Sequence, residues 1–211
     1  MSSFKTLDDL GDITGKVALV RVDLNLPMKD GSATDVSRVE AAKPTILELA
    51  EKGAKVLLLA HYGRPKGQRF STMSTSFVQG DVEKVLDKEI MFIPEVMGPV
   101  VVQSIGILGN GDIGLLDNVR FWPGEEANDP EFARGMAAHG DFYVNDAFSA
   151  AHRAHATTEG LAHHLPAYAG RAMEAELKPK VLETFDTIAG DYKKLRKLQD
   201  QQVENRLAAQ G

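Results

Sequence analysis

The chain has 211 residues, of which 43% are hydrophobic and 26% are charged, which is ordinary usage for a globular protein. It contains no cysteine, and this excludes disulfides, thiolate metal sites and a cysteine nucleophile. The net charge of −6 disfavours a general nucleic-acid surface. No apolar run approaches the roughly 18 residues of a membrane helix, and the N-terminal residues lack a secretion signal. We therefore expect a cytoplasmic protein with neither a membrane nor a nucleic-acid partner.

Strands and helices are predicted to alternate along most of the chain. A buried strand over Val17–Val22 precedes a helix over Ser37–Glu51, in which apolar residues recur with helical period. The later predicted elements are strands over Lys55–Ala60, Glu89–Ile93, Asp112–Leu116 and Asp141–Val144, and helices over Phe77–Leu86 and Asp129–Ala138. This alternation favours an α/β fold, specifically a three-layer α/β/α Rossmann-like domain with a parallel sheet.

Polar motifs follow four of the predicted strands. In chain order they are VDLN, HYGRPKG, DNVRF and NDAFSAAHR. Ligands bind to open parallel sheets beyond the carboxyl ends of the strands, and these ends share one edge of the sheet. The four motifs are therefore expected to form one site.

Arginines in or near the strand-end motifs indicate what this site binds. They are Arg38, Arg64, Arg120 and Arg153. An arginine binds phosphate or carboxylate through two parallel hydrogen bonds, so converging arginines would hold a small anion with several charges. Any one of them alone would more often be a scattered surface residue, but four at matching positions favour a site.

Other residues of the motifs leave alternatives open. Asp23 and Asn25 could bind a substrate hydroxyl, or they could simply form a turn before a proline. The loop that contains His61 has two glycines and a proline, but it does not match a P-loop. His152 and His155 have a spacing compatible with metal ligands, yet no third ligand accompanies them, so anion binding is favoured over metal binding.

The region over 178–211 differs in composition and is predicted to be a helical tail of unknown role. Its apolar residues at Val181, Phe185, Ile188, Tyr192 and Leu195 follow heptad spacing. This amounts to only about two heptads, too few to establish a coiled coil. The tail is thus a candidate for self-association or for docking a partner.

Three strings of the sequence together resemble phosphoglycerate kinase. They are VRVDLNLPMKDG, TDVSRVEAAKPTILELAEKGAKVLLLAHYGRPKG, and the stretch from LLDNVRFWPGEE through NDAFSAAHRAHATTEG to EAEL. The resemblance runs collinearly from about Phe4 to Leu177. It implies that residues 1–177 are the N-terminal domain of that family, which binds 3-phosphoglycerate.

The family is a usually monomeric, two-lobed glycolytic enzyme that transfers a phosphoryl group between ATP and 3-phosphoglycerate, giving 1,3-bisphosphoglycerate. Its C-terminal lobe binds Mg-ATP through glycine-rich strings of VGGAKVS and GGGD type, which do not occur in this sequence. The resemblance therefore implies a single lobe that binds 3-phosphoglycerate, holds no cofactor or metal itself, and does not turn over alone. The alternative is a non-catalytic protein that binds an anionic metabolite or acts through its helical tail.

The resemblance also assigns site residues by motif. Arg38 matches the catalytic arginine that contacts the transferred phosphoryl group. The substrate-binding positions matched by the motifs are Asp23, Leu24, Asn25, Arg38, His61, Tyr62, Gly63, Arg64, Arg120 and Arg153. Two departures from the family pattern are the string STMSTSFV at residues 71–78 and Asp117, where a glutamate is more usual.

Overall fold

A computed structural model describes residues 4–179 of the chain. The chain divides into two units, Met1–Glu174 and Ala175–Gly211, and nearly all described residues belong to the first. The predicted tail over 178–211, with its heptads, lies outside the described residues except for its first two positions. Its helical character, its role and the domain boundary before it stay predictions.

The first unit is built on a six-stranded sheet in which every strand pair is parallel. Its strands are rich in Val, Leu, Ile and Ala and are buried on both faces, as a sheet covered on two sides requires. In sheet order they are β5 (Ile90–Ile93), β6 (Ile113–Leu116), β4 (Lys55–Leu59), β1 (Val17–Arg21), β7 (Phe142–Asn145) and β8 (Ala167–Ala169). A small antiparallel hairpin of β2 (Met28–Lys29) and β3 (Ser32–Ala33) follows β1.

Helices cover both faces of the sheet. They are α1 (Ser37–Glu51), α2 (Ser76–Leu86), α3 (Pro99–Ile107), α4 (Pro123–Glu126), α5 (Pro130–Ala137) and α6 (Phe148–Ala151). Successive residues of β1 point to opposite faces: Val20 joins an apolar cluster with α1 and α2, whereas Leu19 joins a second cluster with α3 and α5. The predicted three-layer α/β/α fold is confirmed.

Every strand and helix predicted within the described residues is present, with bounds that differ by about one residue. The sequence analysis missed the helix α3, whose sequence PVVVQSIGI suggests a strand because it is rich in β-branched residues. Gly98, at φ 91°, lets the chain turn into the helix, and Pro99 occupies its first turn. The short edge strand β8 was also missed. No helix of the described part combines the length and apolarity needed to span a membrane.

Candidate functional site

The four strand-end motifs meet at one edge of the sheet, as predicted, and hydrogen bonds join them directly. The Asn25 side-chain oxygen accepts a hydrogen bond from the backbone N–H of Gly63 at 2.9 Å, which links the segments after β1 and β4. Arg120, after β6, donates to the Gly63 carbonyl at 3.3 Å. Ser149, after β7, donates to the Asp23 carboxylate at 2.5 Å. The motifs therefore form one continuous polar surface.

Asp23 and Arg38 form an ion pair at the centre of this surface, with 2.9 Å between Asp23 Oδ2 and Arg38 Nη1. The same Nη1 donates to the Asn25 carbonyl at 3.1 Å. Burial alone would raise the pKa of Asp23, but hydrogen bonds from Ser149 and from the Asn25 N–H, together with the charge of Arg38, lower it below its usual value. Asp23 is therefore an ionised hydrogen-bond acceptor.

The start of α1 places Arg38 beside Asp23. The Asp35 side chain accepts a hydrogen bond from the Ser37 N–H at 2.8 Å and so satisfies an unpaired donor where the helix begins. Arg38 is the second residue of the helix, and its side chain remains about half exposed. It is anchored at one end and open to solvent at the other, so it can contact a ligand.

The loop after β4 is held by Asn118, which follows the neighbouring strand β6. Asn118 donates from its side chain to the carbonyls of Tyr62 and Met73, at 2.6 Å and 2.8 Å. Gly63 has φ 64°, a conformation that favours glycine, and a Cβ there would meet the Met73 sulfur at 3.3 Å. The loop therefore has a fixed path in which the backbone of Gly63 faces both Asn25 and Arg120.

Asp117, the departure from the family pattern, organises the other end of this loop. Its Oδ1 accepts hydrogen bonds from the Thr75 N–H at 3.0 Å, the Asn118 N–H at 2.8 Å and the Ser74 hydroxyl at 2.8 Å. Asp117 is 5% exposed, so these bonds compensate for burying its charge. It therefore fixes the start of α2 as well as the loop.

Arg120 is the most unusual residue of the site because its guanidinium is buried but incompletely paired. The residue is 2% exposed, and its Nε and Nη2 atoms have no hydrogen-bond partner. Glu126 lies 3.5 Å from Nε, within ion-pair distance. Burial lowers the pKa of Arg120. Buried donors are nearly always hydrogen-bonded, so a guanidinium whose Nη2 has no acceptor and whose Nε has only the distant Glu126 indicates a place for an anionic acceptor.

The other two predicted arginines differ in how they are placed. Arg153 is half-buried, and its charge lowers the pKa of Arg120 and of His61, so it lies in the same electrostatic cluster. Its Nε is 3.4 Å from His152 Nε2. Arg64 is exposed and makes no hydrogen bond or ion pair with the residues described. The structure therefore places Arg120 and Arg153 in one electrostatic cluster, links Arg38 to Arg120 through Asn25 and Gly63, and leaves Arg64 at the surface.

Leu24 and Tyr62 were assigned to the substrate site by motif. Leu24 is fully buried in the core, and its carbonyl accepts a hydrogen bond from the Leu26 N–H at 2.8 Å, so the structure leaves neither its side chain nor its backbone exposed to a ligand. Tyr62 is half-buried and lines a cleft of about 510 Å³ beside Arg38. The other lining residues are Asn25, Leu26, Pro27, Asp35, Arg38, Gly63, Thr72 and Met73.

Arg21 is a charged residue next to the site that the sequence analysis missed. It is 1% exposed and ends β1, and its Nη2 contacts His61 Nδ1 at 2.8 Å. Burial, together with the charges of Arg21 and Arg120, lowers the pKa of His61 to about 3, so His61 is neutral near neutral pH. A sequence signal was available, because an arginine within the apolar strand VALVRV is rare unless it is paired.

Metal binding finds no support in this part of the chain. Among residues 4–179, no group of three or more His, Asp or Glu side chains is placed to hold an ion. His155, one of the two histidines considered in the sequence, feels the negative charges of Glu125 and Glu126 as well as the positive charges of Arg120 and Arg153. His152 Nε2 lies 3.4 Å from Arg153 Nε. Neither histidine belongs to such a group.

The fold and these side chains define an α/β domain with a candidate anion site at the carboxyl edge of its sheet. The phosphoglycerate kinase family profile matches residues 7–186. Phosphoglycerate kinases of Sphingopyxis alaskensis and Rhizobium johnstonii are 62% and 61% identical to this chain over 178 residues, which is 84% of its length. The chain belongs to the phosphoglycerate kinase family.

Solved structures agree with this assignment. The phosphoglycerate kinases of Pyrococcus horikoshii and Coxiella burnetii match with a TM-score of 0.74 each, at 31% and 34% identity, over 82% and 83% of this chain. The chain spans a little under half of its relatives: 45% of the Sphingopyxis protein and 44% of the Pyrococcus structure.

Proposed function

We propose that this chain binds 3-phosphoglycerate or 1,3-bisphosphoglycerate at the strand-end site and acts as the acid-binding half of a phosphoglycerate kinase of glycolysis. The observation that carries the proposal is the buried Arg120 guanidinium, whose Nη2 and Nε make no hydrogen bond with the described residues and whose nearest carboxylate among them is Glu126, 3.5 Å from Nε. Arg153 adds positive charge beside it. A phosphate or carboxylate would supply the missing acceptors and compensate for both charges.

The remaining residues suit the other groups of a phosphorylated hydroxy acid. Asp23, an ionised acceptor, can take a hydrogen bond from the substrate hydroxyl, and Asn25 fixes the neighbouring loop. We assign Arg38 to the transferred phosphoryl group because its exposed guanidinium lies at the edge of the cleft. Phosphoryl transfer needs positioning and charge stabilisation more than covalent catalysis, and arginines supply both.

Mg-ATP is the phosphoryl donor that the family implies. The described residues do not fit a magnesium site, because no carboxylate cluster is present among them. We expect the 211 residues alone to bind the acid without turnover. A cytoplasmic location without membrane or nucleic-acid partners is part of the same proposal.

Isothermal titration calorimetry with 3-phosphoglycerate tests the proposal. We expect saturable binding that weakens as salt is added, because screening reduces attraction between the arginines and the anion. Arg120→Met should abolish binding, whereas Arg134→Met, which removes an exposed arginine from α5, should leave it unchanged. Absence of binding at millimolar ligand to the correctly folded chain would refute the proposal.

A further inference from the structure

Arg21 is held in a buried network directly behind the site. Its Nε donates to Thr157 Oγ1 at 3.0 Å, its Nη1 donates to the Val22 carbonyl, and its Nη2 contacts His61 Nδ1 at 2.8 Å. The residue is 1% exposed. A guanidinium so far from water is tolerated only with a counter-charge and with its hydrogen bonds satisfied.

Glu125 supplies that counter-charge through Thr157. Glu125 is fully buried near the end of α4, and its Oε1 and Oε2 accept hydrogen bonds from the Thr157 hydroxyl at 2.6 Å and the Thr157 N–H at 2.9 Å. Burial lowers the pKa of Arg21, and the charge of Glu125 is the main influence that raises it. His155 Nδ1 lies 3.9 Å from the same carboxylate. The charge of Glu125 also acts on Arg120, whose pKa it raises against the effect of burial.

Hydrogen-bond chemistry fixes the direction of every proton in this network. An arginine can only donate and an ionised carboxylate can only accept. The Thr157 hydroxyl therefore accepts from Arg21 and points its own proton at Glu125. By the same rule, His61 Nδ1 accepts from Arg21 and carries no proton. A neutral His61 must then carry its proton on Nε2.

His61 Nε2 is the free end of the network. This nitrogen makes no hydrogen bond with the described residues. It is not fully buried either, so it retains contact with solvent. The charged groups that act on His61 are Arg21, Arg120, Arg153 and Asp23. Three of these are cations, so they add to burial in keeping the ring neutral.

We propose that Glu125 and Thr157 are positioning residues of the anion site: they hold Arg21, which in turn fixes His61 as the neutral tautomer with its Nε2–H available as a ligand donor. The identity of the ligand rests on the proposed function, but the tautomer of His61 does not. Neither Glu125 nor Thr157 touches the ligand. They act through the orientation of Arg21 and His61, and Glu125 in addition contributes a negative charge near Arg120.

The first test is an NMR measurement on the full 211-residue chain without ligand. Long-range proton–nitrogen correlations of the His61 ring distinguish the two neutral tautomers. We expect a proton on Nε2 and none on Nδ1 from neutral pH to mildly acidic pH, and slow exchange with water for the Arg21 Nε–H. A proton on Nδ1, or rapid exchange of the Arg21 proton, overturns the proposal without any variant.

Two substitutions of Thr157 separate positioning from simple structural support. Thr157→Val keeps the shape but removes the hydroxyl, so Arg21 Nε and Glu125 Oε1 both lose a partner, whereas Thr157→Ser restores it. We expect mixed tautomers of His61 in Thr157→Val and the wild-type tautomer in Thr157→Ser. Glu125→Gln should resemble Thr157→Val, and Glu131→Gln, on the exposed face of α5, serves as the charge-matched control.

Ligand binding is measured on the same variants. We expect 3-phosphoglycerate to bind about tenfold more weakly to Thr157→Val and Glu125→Gln, comparable to the loss of one charged hydrogen bond, and normally to Thr157→Ser. Folded variants that are merely less stable but keep the wild-type tautomer and affinity overturn the proposal. If the wild-type chain shows the expected tautomer but no binding, the proposed function fails while the tautomer comparison still decides the roles of Glu125 and Thr157.

Discussion

The guanidinium of Arg38 lies 2.9 Å from the Asp23 carboxylate, and the nitrogen that makes this contact also donates to the Asn25 carbonyl. Nη1 of the Arg38 guanidinium thus anchors the side chain to the segment after β1. The rest of the planar group remains open to the cleft. The geometry explains how an exposed arginine can be held in place and still contact a ligand.

We predict that Arg38→Lys harms catalysis although it keeps the positive charge. A lysine ammonium can replace the contact with Asp23, but it cannot also donate two parallel hydrogen bonds to a phosphoryl group. In an enzyme completed with a nucleotide-binding lobe, we expect kcat to fall roughly a hundredfold or more. Steady-state kinetics with Arg134→Lys as the control measures this. An unchanged kcat would show that Arg38 does not stabilise the phosphoryl group.

The buried His61 should make stability depend on pH. Its pKa is about 3 in the folded chain and about 6.5 when unfolded, so between these values only the unfolded state binds the proton. Stability from this group is therefore present above about pH 6.5 and is lost as the pH falls towards about 3. Between about pH 7 and about pH 5, the loss amounts to about 2 kcal/mol.

Urea unfolding of the wild type and of His61→Asn at several pH values tests this prediction. Asparagine offers an acceptor to Arg21 but does not titrate, so its stability should change less with pH. The lowered pKa values of His139 and His155 contribute equally to both proteins and cancel in the comparison. His163→Asn, at an exposed histidine, should behave as the wild type does. Equal pH dependence in His61→Asn and wild type would mean that His61 does not carry the effect.

Two glycine substitutions should have opposite effects on stability. A Cβ at Gly170 would overlap Asp146 Oδ1, and Asp146 is buried and accepts a hydrogen bond from the Met173 N–H at 3.0 Å. We expect Gly170→Ala to destabilise the chain by about 3 kcal/mol, because neither group can move without breaking buried contacts. Gly80, exposed in α2, has no heavy atom near its Cβ position, so Gly80→Ala should stabilise by about 0.5–1 kcal/mol.

Thermal or urea unfolding of both glycine variants gives the free energies directly. The pair shares the same chemical change, so effects of an added methyl group on the unfolded chain are matched. If Gly170→Ala were as stable as the wild type, the close packing of Gly170 against Asp146 would be wrong.

Much of the fold follows from local sequence, but the inner part of the site does not. The period of apolar residues predicted α1 with its observed bounds, and the continuous apolar runs predicted β1 and β4. No element was predicted over Pro99–Ile107, where β-branched residues do not favour a helix, and α3 depends on its packing against the sheet at Val101. Local pattern is sufficient where it agrees with the tertiary environment.

The role of Arg21 could not be predicted for a different reason. Its partners Thr157 and Glu125 lie more than a hundred residues away along the chain, and only the folded sheet brings them together. The motifs likewise predicted that Arg64 and Arg120 would share a site, but not that one would be exposed and the other buried with unpaired nitrogens. Such differences arise from burial in the folded chain, and a sequence motif does not show how deeply each of its residues is buried.

Our last prediction is that the 211-residue chain alone does not catalyse phosphoryl transfer. Holding two reactants in line contributes roughly 7–11 kcal/mol to lowering a barrier in favourable cases, and the described residues provide a candidate site for the acid only. A coupled assay with Mg-ATP and 3-phosphoglycerate measures turnover. The Arg38→Lys variant distinguishes turnover by this chain from turnover by a contaminating host enzyme. Activity from a contaminating host enzyme would be equal in preparations of both proteins. Turnover that is present in the wild type and reduced in Arg38→Lys would show that this chain aligns both substrates itself, and would contradict the division of labour proposed here.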